Sequence, residues 1–187
     1  MDSAPTNINE EIEKLKFENK NLKDFLINYN ISYPIFTTKL LGVSIGNKTF
    51  SIPNELYNNW KLYKINIYHD KFFVTALEMF FDDNKNNIKS FKFGEGKGEK
   101  KSLELENNEI IESLIINAGD LIDGITIETN KKSLFGRIEN VGGNGYLFNI
   151  KEISNIFKKK IELIGFEGNF NDSYIIQAKA LFKFLDN

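Results

Sequence analysis

From about Ile35 to the end of the chain, apolar and polar residues alternate in short runs with a period of two, the period of a strand with one buried face. The pattern is clearest in Ile122–Glu128, where Ile125, Ile127 and Thr129 alternate with Thr126 and Glu128. Comparable runs predict strands at Phe36–Val43, Thr49–Ile52, Leu62–Tyr68, Phe72–Phe81, Ile88–Phe93, Lys101–Glu106 and Leu114–Asn117. After a glycine-rich loop ending at Gly145 come Tyr146–Ile150, a short Ile153–Phe157 segment, Lys160–Phe166 and Tyr174–Leu185. Asn, Asp, Gly and Pro punctuate the runs, at Gly46-Asn47, Pro53-Asn54, His69-Asp70, Asp82–Asn87 and Gly94–Gly98. With no helical period between strands, the expectation is an antiparallel all-β sandwich, barrel or prism.

A weak internal repeat narrows this choice. Lys61–Phe81, Glu112–Thr129 and Lys159–Phe182 share one plan: an alternating strand, a turn with glycine or Asp/Asn, then a longer apolar strand. They recur roughly every 50 residues, as repeated supersecondary units do. Three such antiparallel units predict a threefold arrangement of sheets around one core.

The chain before residue 35 reads differently. Asn7-x-x-Glu10 forms a capping box, and Ile12, Leu15, Asn19, Leu22, Leu26 and Tyr29 follow at 3-4-3-4-3 spacing. That is an a/d seam with one asparagine at an a position. Glu11 and Glu18 at g face Lys16 and Lys23 at e of a parallel partner. One reading is an oligomerising helix that favours a parallel homodimer. The other is an amphipathic helix packed on its own domain, widened by Phe17 and Phe25. Asn28–Asn30 and Pro34 end it, dividing the chain into a helical extension (1–34) and a β domain (35–187).

Composition removes several chemistries. There is no cysteine among the 187 residues, so disulfides and thiolate catalysis are excluded. Lys and Arg (24) balance Asp and Glu (26), so no basic field invites nucleic acid. No run reaches the roughly 18 apolar residues of a membrane span, and no signal-type segment opens the chain. A soluble, cytoplasmic protein is expected. Gly94–Ser102 lacks phosphate-loop spacing and reads as a hairpin loop. His69, the only histidine, sits in an expected surface turn beside Asp70 without a nucleophile. Trp60 reads as core or apex packing, and Asp82-Asp83 and Asp120/Asp123 lack calcium-loop spacing. No metal, cofactor or enzymatic activity is expected.

INAGDLIDGITIETNKKSLFGRIENVGG in the middle of the chain and LIGFEGNF near its end resemble the jacalin-related lectins, over about Leu41–Asn187. Thr49-Phe50 and KINIYHDKFFVTALEMFF occupy matching places. The resemblance implies a β-prism I fold, three four-stranded Greek-key-like sheets with pseudo-threefold symmetry, metal-free, binding sugars in loops at one end. It also implies a Gly-x-x-x-Asp motif in the last hairpin, but counted from Gly168 the motif positions fall on Asn171 and Ile175. Asp172 lies nearby in another register. The loop Gly168, Asn169, Phe170, Asn171, Asp172, Ser173, Tyr174 still carries hydroxyl-binding and ring-stacking side chains, although these residues also suit an ordinary turn. Gly46 or Asn47 corresponds to the family's N-terminal glycine beside the site, while Gly119 and Asp120 stand where some members carry an aromatic. Gly143 and Asn144 offer a second close backbone approach. Two functions follow as expectations: a non-enzymatic lectin binding glycans weakly and multivalently, or a scaffold that has lost sugar binding and engages a protein partner.

Overall fold

The computed structural model describes residues 35–85, 87–136 and 142–185. The predicted N-terminal helix and its seam at Ile12, Leu15, Asn19, Leu22, Leu26 and Tyr29 lie outside them. The described residues form twelve strands: β1 (Ile35–Thr37), β2 (Lys48–Phe50), β3 (Lys61–His69), β4 (Val74–Asp82), β5 (Ile88–Gly94), β6 (Glu99–Glu104), β7 (Ile111–Ala118), β8 (Ile122–Thr129), β9 (Ser133–Phe135), β10 (Asn144–Asn149), β11 (Lys160–Phe170) and β12 (Ile175–Leu185).

The strands form three four-stranded antiparallel sheets, ordered β5-β4-β3-β6, β10-β7-β8-β9 and β1-β12-β11-β2. The three repeat units of the sequence are their central hairpins. The symmetry extends to irregularities in pairing: each hairpin breaks register near its turn, after Tyr68, Asn117 and Asn169. Each breaks again six residues earlier, after Leu62, Ile111 and Leu163. Such bulges re-aim side chains and tighten twist, and here they recur once per unit. In the first two sheets the fourth strand returns across the turn end of the hairpin to pair beside the first. The third sheet takes both edges from β1 and β2, so the start of the β region closes against its end.

The inward faces meet in one apolar centre. Ile65, Ile67, Leu77, Met79 and Phe81 of the first sheet, Leu114, Ile116, Ile125 and Ile127 of the second, and Leu163, Phe166, Ala180 and Phe182 of the third are all buried. Burial at this density contributes roughly 1.5–3 kcal/mol per large side chain, which offsets the ordering of the loops above. Aromatic rings bridge the sheets: Phe148 of β10 stacks on Phe182 of β12 at 4.9 Å, and Phe50 of β2 stacks on Phe93 of β5 at 4.9 Å.

Several expectations are corrected. Among the described residues, two short helices interrupt the strands, α1 (Leu56–Asn59) and α2 (Ile150–Phe157). In α2, Ile150, Ile153 and Phe157 keep helical spacing, and the Asn149 side chain caps the first turn by accepting from Glu152 N. Eight residues were too few for that period to stand out among strands. The expected strand Phe36–Val43 shortens to β1 plus one isolated bridge, Leu41 to Ala178. Phe72 and Phe73 fall in a turn because Asp70 Oδ1 accepts their amides at 2.7 and 2.8 Å. β9 is a strand that the alternation does not predict. Gly94–Gly98 is no hairpin: it carries the chain across the sheet end from edge strand β5 to edge strand β6. His69 is buried in β3 rather than in a surface turn, because its register places it on the inward side with Ile65 and Ile67. Trp60 is half-exposed, with Lys89 Nζ 4.7 Å from its ring.

Candidate functional site

The threefold plan brings the turns Asp70–Phe73, Gly119–Leu121 and Asn171–Tyr174 to one end of the molecule, together with the segment Gly42–Asn47. That segment runs between two of the turns. Val43 N and Ser44 N donate to Asp120 O at 3.3 and 3.2 Å, and Gly46 N donates to Asn169 Oδ1 at 2.8 Å. Asn169 Nδ2 donates to Gln177 Oε1, and Gln177 Nε2 donates to Gly42 O at 3.0 Å. Two buried or half-buried side chains thus staple both ends of one exposed loop to the last hairpin. Unstapled, its backbone groups would fluctuate, and ordering them on binding would weaken any affinity.

This arrangement sorts the expected site residues. Gly168 and Asn169 lie in β11, not in the loop. A Cβ on Gly168 would stand 1.9 Å from Gln177 O, so the glycine permits close strand approach. Asn171 is a turn former: its Oδ1 accepts from Ser173 N and Tyr174 N, both at 2.8 Å. Asp70 plays the same part in the first turn, accepting from the amides two and three residues on. Tyr174 packs edge-on against Phe73 at 5.3 Å, and its hydroxyl is held un-ionised to higher pH by the charge of Asp70, by burial and by a hydrogen bond to Asp70. What remains at the surface is Asp172, Ser173 and Asn47. Asp172 pairs with Lys48 Nζ; that hydrogen bond and the charge behind it hold its carboxyl below the ordinary aspartate range.

On the other side of Gly42–Asn47, Asn144 opens β10 opposite Ala118. Gly143 adopts φ +70°, and a Cβ there would meet Ala118 C at 2.4 Å. Asp123 fixes the neighbouring turn by accepting from Gly119 N at 2.8 Å. Between them lies an open groove of about 470 Å³, lined by Gly42, Val43, Gly119, Asp120, Asn144 and Tyr146. Gly46, Asn47, Asp172 and Ser173 therefore form one patch, and Gly143 and Asn144 another, with the stapled segment between. Lys48 and Gln177 were missed. Lys48 gives no signal in sequence, since its partner is 124 residues away. Gln177 does: it is the one uncharged polar residue in the apolar run Ile175–Leu185.

Three Greek-key sheets closed around a common apolar core, with their hairpin turns gathered at one end, make this a β-prism I protein. The family model for the jacalin-like lectin domain matches residues 38–178, and the chain belongs to that family. Solved structures share the fold at low identity. A Malaysian banana lectin is 17% identical, with a TM-score of 0.63 over 82% of this chain and 100% of its own. A mannose binding jacalin related lectin from Ananas comosus is 16% identical, with a TM-score of 0.62 over 79% of this chain and 96% of its own. Calsepa lectin in complex with a biantennary N-glycan is 15% identical, with a TM-score of 0.59 over 81% of this chain and 98% of its own. No match was found among curated protein sequences.

Proposed function

We propose that the protein binds carbohydrate at the turn end, weakly at each site, and gains avidity through dimerisation by residues 1–34. The observation that carries this reading is the patch around Asp172. A carboxylate and a hydroxyl, Asp172 and Ser173, stand exposed on a turn already ordered by Asn171, beside a loop already pinned by Asn169 and Gln177. Preorganised acceptors of this kind bind vicinal hydroxyls without an ordering cost. The mannose binding and N-glycan-complexed relatives support the ligand class. The patch is open and holds a single carboxylate, which limits affinity. Linked copies raise apparent affinity by roughly 10²–10⁴. A glycan array with the full-length protein should give a multivalent signal that Asp172→Ala lowers at least tenfold; silence on every glycan, or a signal unchanged by Asp172→Ala, would end this reading.

A second reading, a scaffold for protein assembly, is favoured by a different observation. Val43 and Ile45 are 76% and 87% exposed on the same pinned loop, with Leu147 63% exposed nearby on β10. Large apolar side chains held in water by an ordered backbone suit a protein contact. If residues 35–187 alone self-associate in sedimentation and Val43→Asp with Ile45→Asp abolishes this, the scaffold reading gains; monomers in both cases remove it.

A further inference from the structure

The outward face of the first sheet carries a polar cluster that the turn end does not explain. Pairing registers place Lys92, Glu78, Asn66 and Ser102 in one row across β5, β4, β3 and β6. The next row toward the turns places Tyr68 between Ala76 and Lys100. Asn66 is 3% exposed although it sits on the face turned away from the core. Its Nδ2 donates to Glu78 Oε2 at 2.7 Å, and Tyr68 Oη donates to the same oxygen at 2.9 Å. Two acceptors are left over. Among the described residues, Asn66 Oδ1 is buried with no hydrogen-bond partner, and Glu78 Oε1 accepts no hydrogen bond. Leaving a buried amide oxygen without a donor is costly, so its retention calls for an occupant that donates.

The charges around the cluster restrict that occupant. Lys64 lies over Phe80 at 5.8 Å and Lys92 over Tyr68 at 4.4 Å, with Lys100 adjoining. Lys64 is already paired with Glu104 at 2.9 Å, and the ammonium groups of Lys92 and Lys100 oppose a cationic ligand. An anion brings no donor for the two open acceptors and meets the Glu78 carboxylate. A neutral polyol fits both conditions. Facing positions on neighbouring strands set side chains about 5 Å apart, so adjacent hydroxyls of one sugar ring can donate to Asn66 Oδ1 and Glu78 Oε1 together. Lys92 Nζ and Ser102 Oγ then supply donors to the ring's own oxygens. Lys92, which lies over the Tyr68 ring, is a long, exposed side chain that swings aside at little cost.

We infer that Asn66 and Glu78, flanked by Tyr68, Lys92 and Ser102, form a second, side-wall site for a neutral saccharide on the outer face of this sheet. The site is separate from the turn-end patch and does not depend on Asp172. It is tested by ¹⁵N-resolved NMR of the full-length protein, titrated separately with methyl α-mannoside and methyl β-galactoside. At least one sugar should shift the Asn66 side-chain amide and the backbone amides of Glu78 and Ser102. The shifts should survive in Asp172→Ala, and apparent affinity should fall about tenfold in Glu78→Gln, the loss of one charge-assisted hydrogen bond. Ser102→Ala, on an exposed position, checks the same site without touching the Asn66–Glu78 pair. Shifts that vanish in Asp172→Ala would mean relay from the turn end and overturn the inference. So would resonances that stay still with both sugars, the amide oxygen then being served by water alone. Failure here leaves the array result for Asp172 untouched.

Discussion

At the scale of single residues, charge and burial make separate predictions at the two ends of the prism. Glu109 has a fully buried side chain. Burial drives its carboxyl upward, yet the Glu106 amide at 2.9 Å, the Thr129 hydroxyl and Lys132 at 3.1 Å together hold it below the ordinary glutamate range. Because the folded-state value is the lower one, the unfolded chain takes up the proton first as pH falls. The stabilisation is whole above the unfolded carboxyl's value of about 4.3 and is lost as pH drops through the folded value. Glu109→Gln should lower unfolding free energy by roughly 1–3 kcal/mol in urea at neutral pH, with unchanged slope, and should flatten the acid side of the stability curve. At the turn end, Asp172 draws its depressed titration from Lys48. Carbon-detected NMR should find its carboxyl titrating below the usual aspartate range in the wild type and close to that range in Lys48→Ala. An unchanged midpoint would show that the pair does not persist in solution.

At the scale of elements, the Gly42–Asn47 segment depends on two side chains from the last hairpin. Asn169→Ala removes the acceptor of Gly46 N–H and the link to Gln177. Amide exchange at Gly46 should quicken by roughly tenfold, from the loss of about one net hydrogen bond, while β3 and β4 amides keep their protection. Uniform quickening across all sheets would instead mean global destabilisation. The staple also shows where sequence reading stopped. The alternation of Ile125, Ile127 and Thr129 announced a strand because one face is buried, and β8 is that strand. Helix α2 escaped notice because a single cap and two turns are a short-range signal among period-two neighbours. At the turn end, Asn171 and Asp172 read alike as polar loop residues. Only the folded geometry shows that Asn171 spends its carbonyl on two amides while Asp172 faces Lys48. Residue type was legible and direction was not, since direction follows from bulges and from partners more than a hundred positions away.

At the scale of the whole molecule, the threefold plan was legible because each unit repeats a full hairpin, turn included, and the repeat reappears as matched register breaks after Tyr68, Asn117 and Asn169. How the third sheet is completed was not legible. β1 is only Ile35–Thr37, held by Lys183, Phe182 and Leu181 of β12, with Phe36 stacked on Phe182 at 5.4 Å. These three residues follow directly on the extension, and that fixes where an oligomerisation test must cut. A fragment starting at Gly42 loses β1, the Leu41 bridge and the Phe36 ring, so it confounds the loss of the extension with damage to the prism. A fragment of residues 35–187 keeps all three. In sedimentation the full-length chain should run as a dimer and the 35–187 fragment as a monomer of unchanged thermal midpoint. Asn19→Leu in the full-length chain should shift the oligomer size, since a lone asparagine in an apolar seam restricts strand number. On a glycan-coated surface the fragment should then bind with apparent affinity lower by roughly 10²–10⁴, the factor that linkage supplies. Equal retention by fragment and full chain would show that each prism binds at its full strength alone.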